Sequence, residues 1–210
     1  MDDASLSRIM FDLFLAGTET TSNTIYWCLL YILHNPQVQD TVYQEIKDQI
    51  GTDRKPTIQD KTSLPYLNAV IAETQRLASI VPLSATHVCT EEVSLRGYTI
   101  PKGTMVLPNL DTALHDTATW GQDAMSFRPE RFIDSEGKLH IPEQFIPFSI
   151  GKRACLGEAM AKMEMFLFLA SMFQRFEFLA PAPDKLPEIK YQPGGVITAK
   201  RYKIKIVERN

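Results

Sequence analysis

The sequence predicts a mainly α fold with small β-sheets (α+β). Three observations carry that prediction. Apolar residues recur at helical spacing in a long early run (Ile9, Leu13, Ala16, then Ile25, Leu29, Ile32) and again through a late run from Leu156 to about Phe173. From Ser84 to Pro108 the pattern changes to short strand-like runs broken by Arg96-Gly97 and Pro101-Lys102-Gly103. The composition, 44% hydrophobic and 22% charged over 210 residues, is that of a globular domain or a part of a larger one.

In chain order, Ser5 to about Leu33 reads as one long helix. Asn35 caps the next helix, with Pro36 at its first position, and that helix stops at Gly51 after about Ile50. Residues 52–63 are polar, contain Pro56 and read as a loop with at most one helical turn. Leu64-Pro65 opens a third helix to about Leu77. Strand-like runs around Val93, Leu95 and Tyr98 and at Met105–Pro108 follow, then a short helix from Leu110 to Asp116. Residues 117–147 have little periodicity, but Trp120, Phe127, Phe132 and Phe145 argue for an ordered segment. After the late helix come strand-like runs at Phe176–Leu179, Val196–Ala199 and Tyr202–Val207, with a turn at Pro193-Gly194-Gly195.

The net charge of −3 gives no sign of a nucleic-acid partner. Cys28, Cys89 and Cys155 are odd in number and far apart, which fits a reducing compartment better than a disulfide framework or a paired zinc site. No run of about 18 apolar residues is present, and the N-terminus lacks the basic start of a signal peptide.

Chemistry concentrates in a few places. Cys155 lies in a glycine-punctuated loop beside Lys152 and Arg153, directly before a helix. A helix N-terminus and nearby cations favour a thiolate, so Cys155 reads as a metal-ligating thiolate rather than a buried structural cysteine. Within the first helix, Ala16-Gly17-Thr18-Glu19-Thr20-Thr21 is weak helix chemistry. Its threonines can bond carbonyls four residues back and bend the helix. Such a segment can hold a water and a small ligand, or be a packing notch at Gly17. Glu73 and Arg76 stand three apart on one helix face, the usual spacing of a solvated ion pair.

The segment Phe148-Ser149-Ile150-Gly151-Lys152-Arg153-Ala154-Cys155-Leu156-Gly157 contains Phe-x-x-Gly-x-Arg-x-Cys-x-Gly in full. It resembles the haem-binding loop of the cytochrome P-450 superfamily. Other segments agree in motif order: Ala16–Thr21 is similar to that family's oxygen-activation segment, Glu73-x-x-Arg76 to its Glu-x-x-Arg pair, and Pro129-Glu130-Arg131-Phe132 to its Pro-Glu-Arg-Phe. The resemblance implies the C-terminal part of the cytochrome P-450 fold, residues 1–210 being one portion of a single domain. A long central helix and the Cys155 loop and helix would enclose haem b. Cys155 would be the axial ligand of the haem iron, with Phe148 in the same loop. Arg153 and His87 would bind haem propionates, and Gly17 would let the helix pass close over the haem. Glu19 and Thr20 would be the catalytic acid–alcohol pair that delivers protons during dioxygen activation. Glu73, Arg76 and Arg131 would be a buried structural triad. One departure is Asp123-Ala124, where many members have a proline, and a small local change is expected there.

The implied activity is a haem-thiolate monooxygenase. It would oxidise a lipophilic small molecule (a xenobiotic, fatty acid or steroid) with dioxygen and electrons from an NADPH-dependent flavin reductase. Lys152 and Lys162 are candidate reductase contacts. Phe14–Ala16, Ile80–Leu83 and the turn at 193–195 would form part of the substrate pocket. Phe145–Arg153 and Gly97–Gly103 look like animal microsomal family-2 members, which implies the cytosolic face of the endoplasmic reticulum membrane, or alternatively the mitochondrial inner membrane. The resemblance covers the chain but less than half of a typical member. The N-terminal half with its membrane anchor is expected to be missing, and the 210-residue piece alone to be poorly soluble, weak in haem and inactive. Two other readings are a haem-thiolate isomerase or dehydratase acting on lipid peroxides, and a non-catalytic truncated chain.

Overall fold

Helix α1 runs from Asp3 to His34, and the Asp2 carboxylate accepts from the Ser5 N–H at its start. The structure is a computed structural model and describes residues 2–182 and 184–209. The two halves of α1 differ. Trp27, Cys28, Leu30, Tyr31 and Ile32 are buried, whereas Met10, Phe11 and Phe14 are 62–73% exposed. Asn35 then turns the chain into α2, Pro36–Gln49, with the proline where a free N–H would have no partner.

Helix α3, Pro65–Ala78, is almost wholly buried. Its start is held from outside: Glu45 of α2 accepts the N–H groups of Tyr66 at 2.7 Å and Leu67 at 2.9 Å, two donors that a helix cannot satisfy itself. Helix α6, Glu158–Arg175, completes a four-helix core. Ile32 of α1, Val38, Val42 and Ile46 of α2, Leu67, Val70 and Ile71 of α3, and Met165, Phe166, Leu169 and Phe173 of α6 form one cluster.

The strands are short and pair as four antiparallel two-stranded sheets. β1 (His87–Val88) pairs with β4 (Met105–Val106), and β2 (Val93–Leu95) with β3 (Tyr98–Ile100). β5 (Phe176–Leu179) pairs with β8 (Lys205–Glu208), and β6 (Tyr191–Gln192) with β7 (Thr198–Ala199). Between β4 and α6 lie α4 (Leu110–His115), α5 (Thr117–Trp120) and a 3₁₀ turn at Pro129–Phe132. The α+β reading is therefore correct.

Three local expectations change. Residues 58–63 form a six-residue 3₁₀ helix rather than at most one turn, because Thr57 and Asp60 make a reciprocal capping box. Residues 117–120 are helical, nucleated by the Asp116 carboxylate on the N–H groups of Ala118 and Thr119. The last strand begins at Lys205, not Tyr202: Tyr202 stacks on Tyr26 at 4.3 Å and gives its N–H to the Tyr26 hydroxyl.

Candidate active site

The thiol loop folds on its own backbone. Ser149 (φ 61°) and Gly151 (φ 76°) take left-handed conformations, one comfortable only for glycine. A 3₁₀ turn at Gly151–Arg153 follows, and the Cys155 N–H donates to the Phe148 carbonyl at 2.9 Å. The thiol is thus presented just ahead of α6. Gly157 leaves the sulfur room: a Cβ there would lie 4.0 Å from Cys155 Sγ.

Cys155 opens onto a cavity of about 260 Å³. Phe148, Leu110, Leu114, Ala161 and Met165 supply apolar wall, and Arg153 shares the cavity with the thiol. Thr20, Thr21 and Thr24 of α1 contribute another part of the wall, and Ile80 and Val81 another. Among the described residues the Arg153 guanidinium has no carboxylate partner. His87, two residues beyond Ala85 of the cavity wall, has a buried Nδ1 without a hydrogen-bond partner among the described residues.

A single thiol, a free guanidinium, an orphaned imidazole nitrogen and apolar walls suit haem: one axial ligand, donors for its carboxylates, and surface for its ring. Among the described residues no three His, Cys, Asp or Glu side chains gather as a metal cluster. A metal here would bring most of its ligands with it, as the iron of haem does.

The proposed acid–alcohol pair is split. Thr20 lines the thiol cavity, with its hydroxyl donating to the Ala16 carbonyl at 2.8 Å. Glu19 lines a separate depression with Tyr26, Arg201 and Tyr202. At about 100° per residue Thr20, Thr24 and Thr21 share one arc of α1 toward the cavity, and Glu19 lies on the opposite side of Thr20, outside that arc. Gly17 faces Met160, whose Cε would lie 3.9 Å from a Cβ at that position. Phe14 is 73% exposed, Leu15 56% and Leu83 49%, and none of the three lines the cavity. Lys162 is held by Glu158 at 2.6 Å and lies over the Phe148 ring.

Glu73, Arg76 and Arg131 meet in one buried network. Glu73 and Arg76 are both 0% exposed. Arg76 donates to Glu73 through Nε at 2.7 Å and Nη2 at 2.9 Å, and to the Leu114 carbonyl through Nη1 at 2.8 Å. Arg131 Nε reaches Glu73 at 3.0 Å, and its other nitrogens hold the carbonyls of Trp120, Asp123 and Ser126. The Arg128 N–H is a fourth donor to Glu73, at 2.9 Å, which its side-chain type does not advertise. Asp123, at the departure from the proline pattern, joins this network: its carboxylate pairs with Arg128 at 2.6 Å and is held below the usual carboxylate range by that bond. Thr21, whose hydroxyl meets Glu164 at 3.4 Å, and Ser79, whose buried hydroxyl has no partner among the described residues, are further polar groups on the cavity wall. Only the fold brings them there.

A family model described as Cytochrome P450 matches residues 1–206. The chain is 46% identical over 208 residues to human cytochrome P450 2U1, covering 99% of this chain and 38% of that protein. It is 45% identical to human cytochrome P450 2D6 over 186 residues, covering 89% of this chain and 37% of the relative. A solved zebrafish cytochrome P450, in a structure described as with abiraterone, superposes with a TM-score of 0.88 at 38% identity over 95% of this chain and 47% of that one. The chain thus spans about two fifths of the length of these curated relatives.

Proposed function

The chain belongs to the cytochrome P450 family, and on that premise we propose that it carries the thiolate side of a haem-thiolate monooxygenase. The observation that carries the reading is one cavity shared by Cys155, Arg153 and Thr20, with apolar walls. Haem b bound there would supply the activation of dioxygen and the insertion of one oxygen atom into a lipophilic substrate.

Cys155 would hold the haem iron through its thiolate, and the group so held would supply the chemistry of O–O cleavage. Arg153, with its planar fork of donors, would bind a haem carboxylate, and the unpartnered His87 Nδ1, carrying a proton, would donate to the second. Phe148 and Met165, on the apolar wall of the cavity, would pack against the ring and exclude water. Thr20 holds a hydroxyl proton inside the cavity, donated at rest to the Ala16 carbonyl. Glu19 is the acid of the relay from its own depression, reached by local bending of α1 or through water. Electrons come from an NADPH-dependent flavin reductase. Lys152 is the stronger of the two candidate contacts, since Lys162 is paired with Glu158. The site of action is the cytosolic face of the endoplasmic reticulum membrane. No described helix is long and apolar enough to cross a membrane.

The decisive measurement is the carbon monoxide difference spectrum of the reduced protein beside Cys155→Ser. A thiolate-type shifted Soret band in the wild type alone supports the ligand, and the same band in both proteins refutes it. The position of Glu19 outside the cavity also suits a haem-thiolate isomerase, which needs no relay. Turnover that depends on NADPH excludes that reading.

A further inference from the structure

The thiol loop has apolar anchors in Phe145 and Phe148, which pack on the core, but few polar ones to fix its height. Its hydrogen bonds are nearly all internal: Ser149 N–H to Ile146, Ala154 N–H to Gly151 and Cys155 N–H to Phe148. At its C-terminal end it runs directly into α6. Phe145 N–H to Pro142 and Glu158 N–H to Cys155 join it only to its immediate flanks, and among the described residues one hydrogen bond ties residues 145–156 to a part of the fold distant in sequence. It runs from Ser84 Oγ to Ser149 Oγ at 3.0 Å, across 65 positions of sequence.

Both ends of this bond are unusual. Ser84 is 7% exposed and lies in the segment that also places Ile80, Val81 and Ala85 on the cavity wall. Ser149 has φ 61°, a conformation that costs a non-glycine residue about 1 kcal/mol or more. It sits next to Phe148, whose carbonyl receives the Cys155 N–H. A displacement of Ser149 therefore passes through one residue to the backbone of the ligand. A left-handed serine persists where its surroundings hold it, and the Ser84 hydroxyl is the polar group that does so.

We propose that Ser84 and Ser149 form a positioning latch that holds the Cys155 loop at ligating height and couples it to the 80–85 wall of the cavity. This rests on the haem-thiolate reading above. Neither serine touches the reacting atoms by this argument. They act through the loop, and a ligand that pushes on Ile80 or Val81 strains or relieves the same bond.

The test follows the lifetime of the thiolate-type carbon monoxide band in the haem-loaded protein, with helix melting by far-UV circular dichroism measured alongside. Ser84→Ala and Ser149→Ala are each expected to shorten that lifetime by roughly 2- to 10-fold, the effect of one net hydrogen bond. The double variant should be no worse than either single, and Ser84→Thr, which keeps the hydroxyl, should recover most of the loss. Helix melting should stay within about 2 °C of wild type, well short of what loss of a core contact produces. A wild-type lifetime in Ser84→Ala, losses that multiply in the double variant, or helix melting that falls in step with the band would each overturn the latch. A wild type without the thiolate-type band, or a Cys155→Ser protein with it, would overturn the haem-thiolate reading itself and the latch with it.

Discussion

Glu73→Gln is the sharpest test of how the fold is held. The carboxylate is 0% exposed and accepts four hydrogen bonds, two from Arg76, one from Arg131 and one from the Arg128 backbone. Glutamine has nearly the same volume, but replaces one acceptor oxygen by a donor NH₂ that must face a guanidinium. Arg76, 0% exposed, then loses its counter-charge, and Arg131, 5% exposed, keeps only the longer 3.6 Å pair with Asp123. Removing one partner of a buried pair costs about 3–5 kcal/mol, a large part of a typical stability of about 5–15 kcal/mol. For a chain of this size each kcal/mol moves the midpoint by about 2–4 °C, so a fall of roughly 6–20 °C is expected. The assay is thermal unfolding of wild type and variant in the same ligand state. Lys138→Ala is the control: its pair with Glu136 is equally short, at 2.7 Å, but the side chains are 74% and 70% exposed. It should move the midpoint by no more than a surface pair is worth, less than about 1 kcal/mol. Equal shifts in the two variants, or a fall below about 2 °C for Glu73→Gln, would refute the argument from burial.

Other consequences can be measured on the same material. In haem-free protein, alkylation followed by mass spectrometry should label exposed Cys155 first and Cys89 later; Cys28, whose thiol is pushed up to about 12 by burial, should react only on unfolding. Gly151→Ala forces a Cβ into a left-handed residue with open space around it; a loss of about 1–2 kcal/mol is expected, and no loss in denaturant titration would show that the loop rearranges freely. The Asp60 carboxyl is held far below its usual range by Arg54 and by the Thr57 N–H. A lowered folded value gives stability above the ordinary carboxylate range, lost as pH falls through it. The advantage of wild type over Arg54→Ala should therefore shrink below about pH 4. Burial raises Glu45 despite its two N–H donors, giving the opposite sign. Relative to Glu45→Gln, wild type should weaken as pH climbs from the ordinary glutamate value of about 4.3 toward the raised folded one.

What was readable in the sequence was whatever short-range chemistry determines. The Asn35-Pro36 junction fixes the start of α2 to the residue, and Leu64-Pro65 does so for α3. The late helix starts at Glu158 rather than Leu156, because Gly157 still has non-helical angles. The capping of α5 by Asp116 was a local signal too, overlooked amid a stretch without periodicity. The Glu73 triad was accessible only by resemblance, since its spacing is the same as that of a solvated pair. The Arg128 N–H, the Ser84–Ser149 contact and the withdrawal of Tyr202 from the last strand depend on partners dozens of positions away. No periodicity or motif encodes them.

The separation of Glu19 from Thr20 has a practical side. One turn of α1 acts as a wall between an outer basin, where Glu19 sits with Arg201 and two tyrosines, and an inner chamber that contains the thiol. Neighbouring codons therefore tune two compartments independently. A change at position 19 alters the charge beside Arg201 in the outer basin. A change at position 20 alters the polarity seen by whatever occupies the chamber. Libraries that vary the two together would sample outer-basin charge and chamber polarity as separate axes from a single pair of adjacent positions.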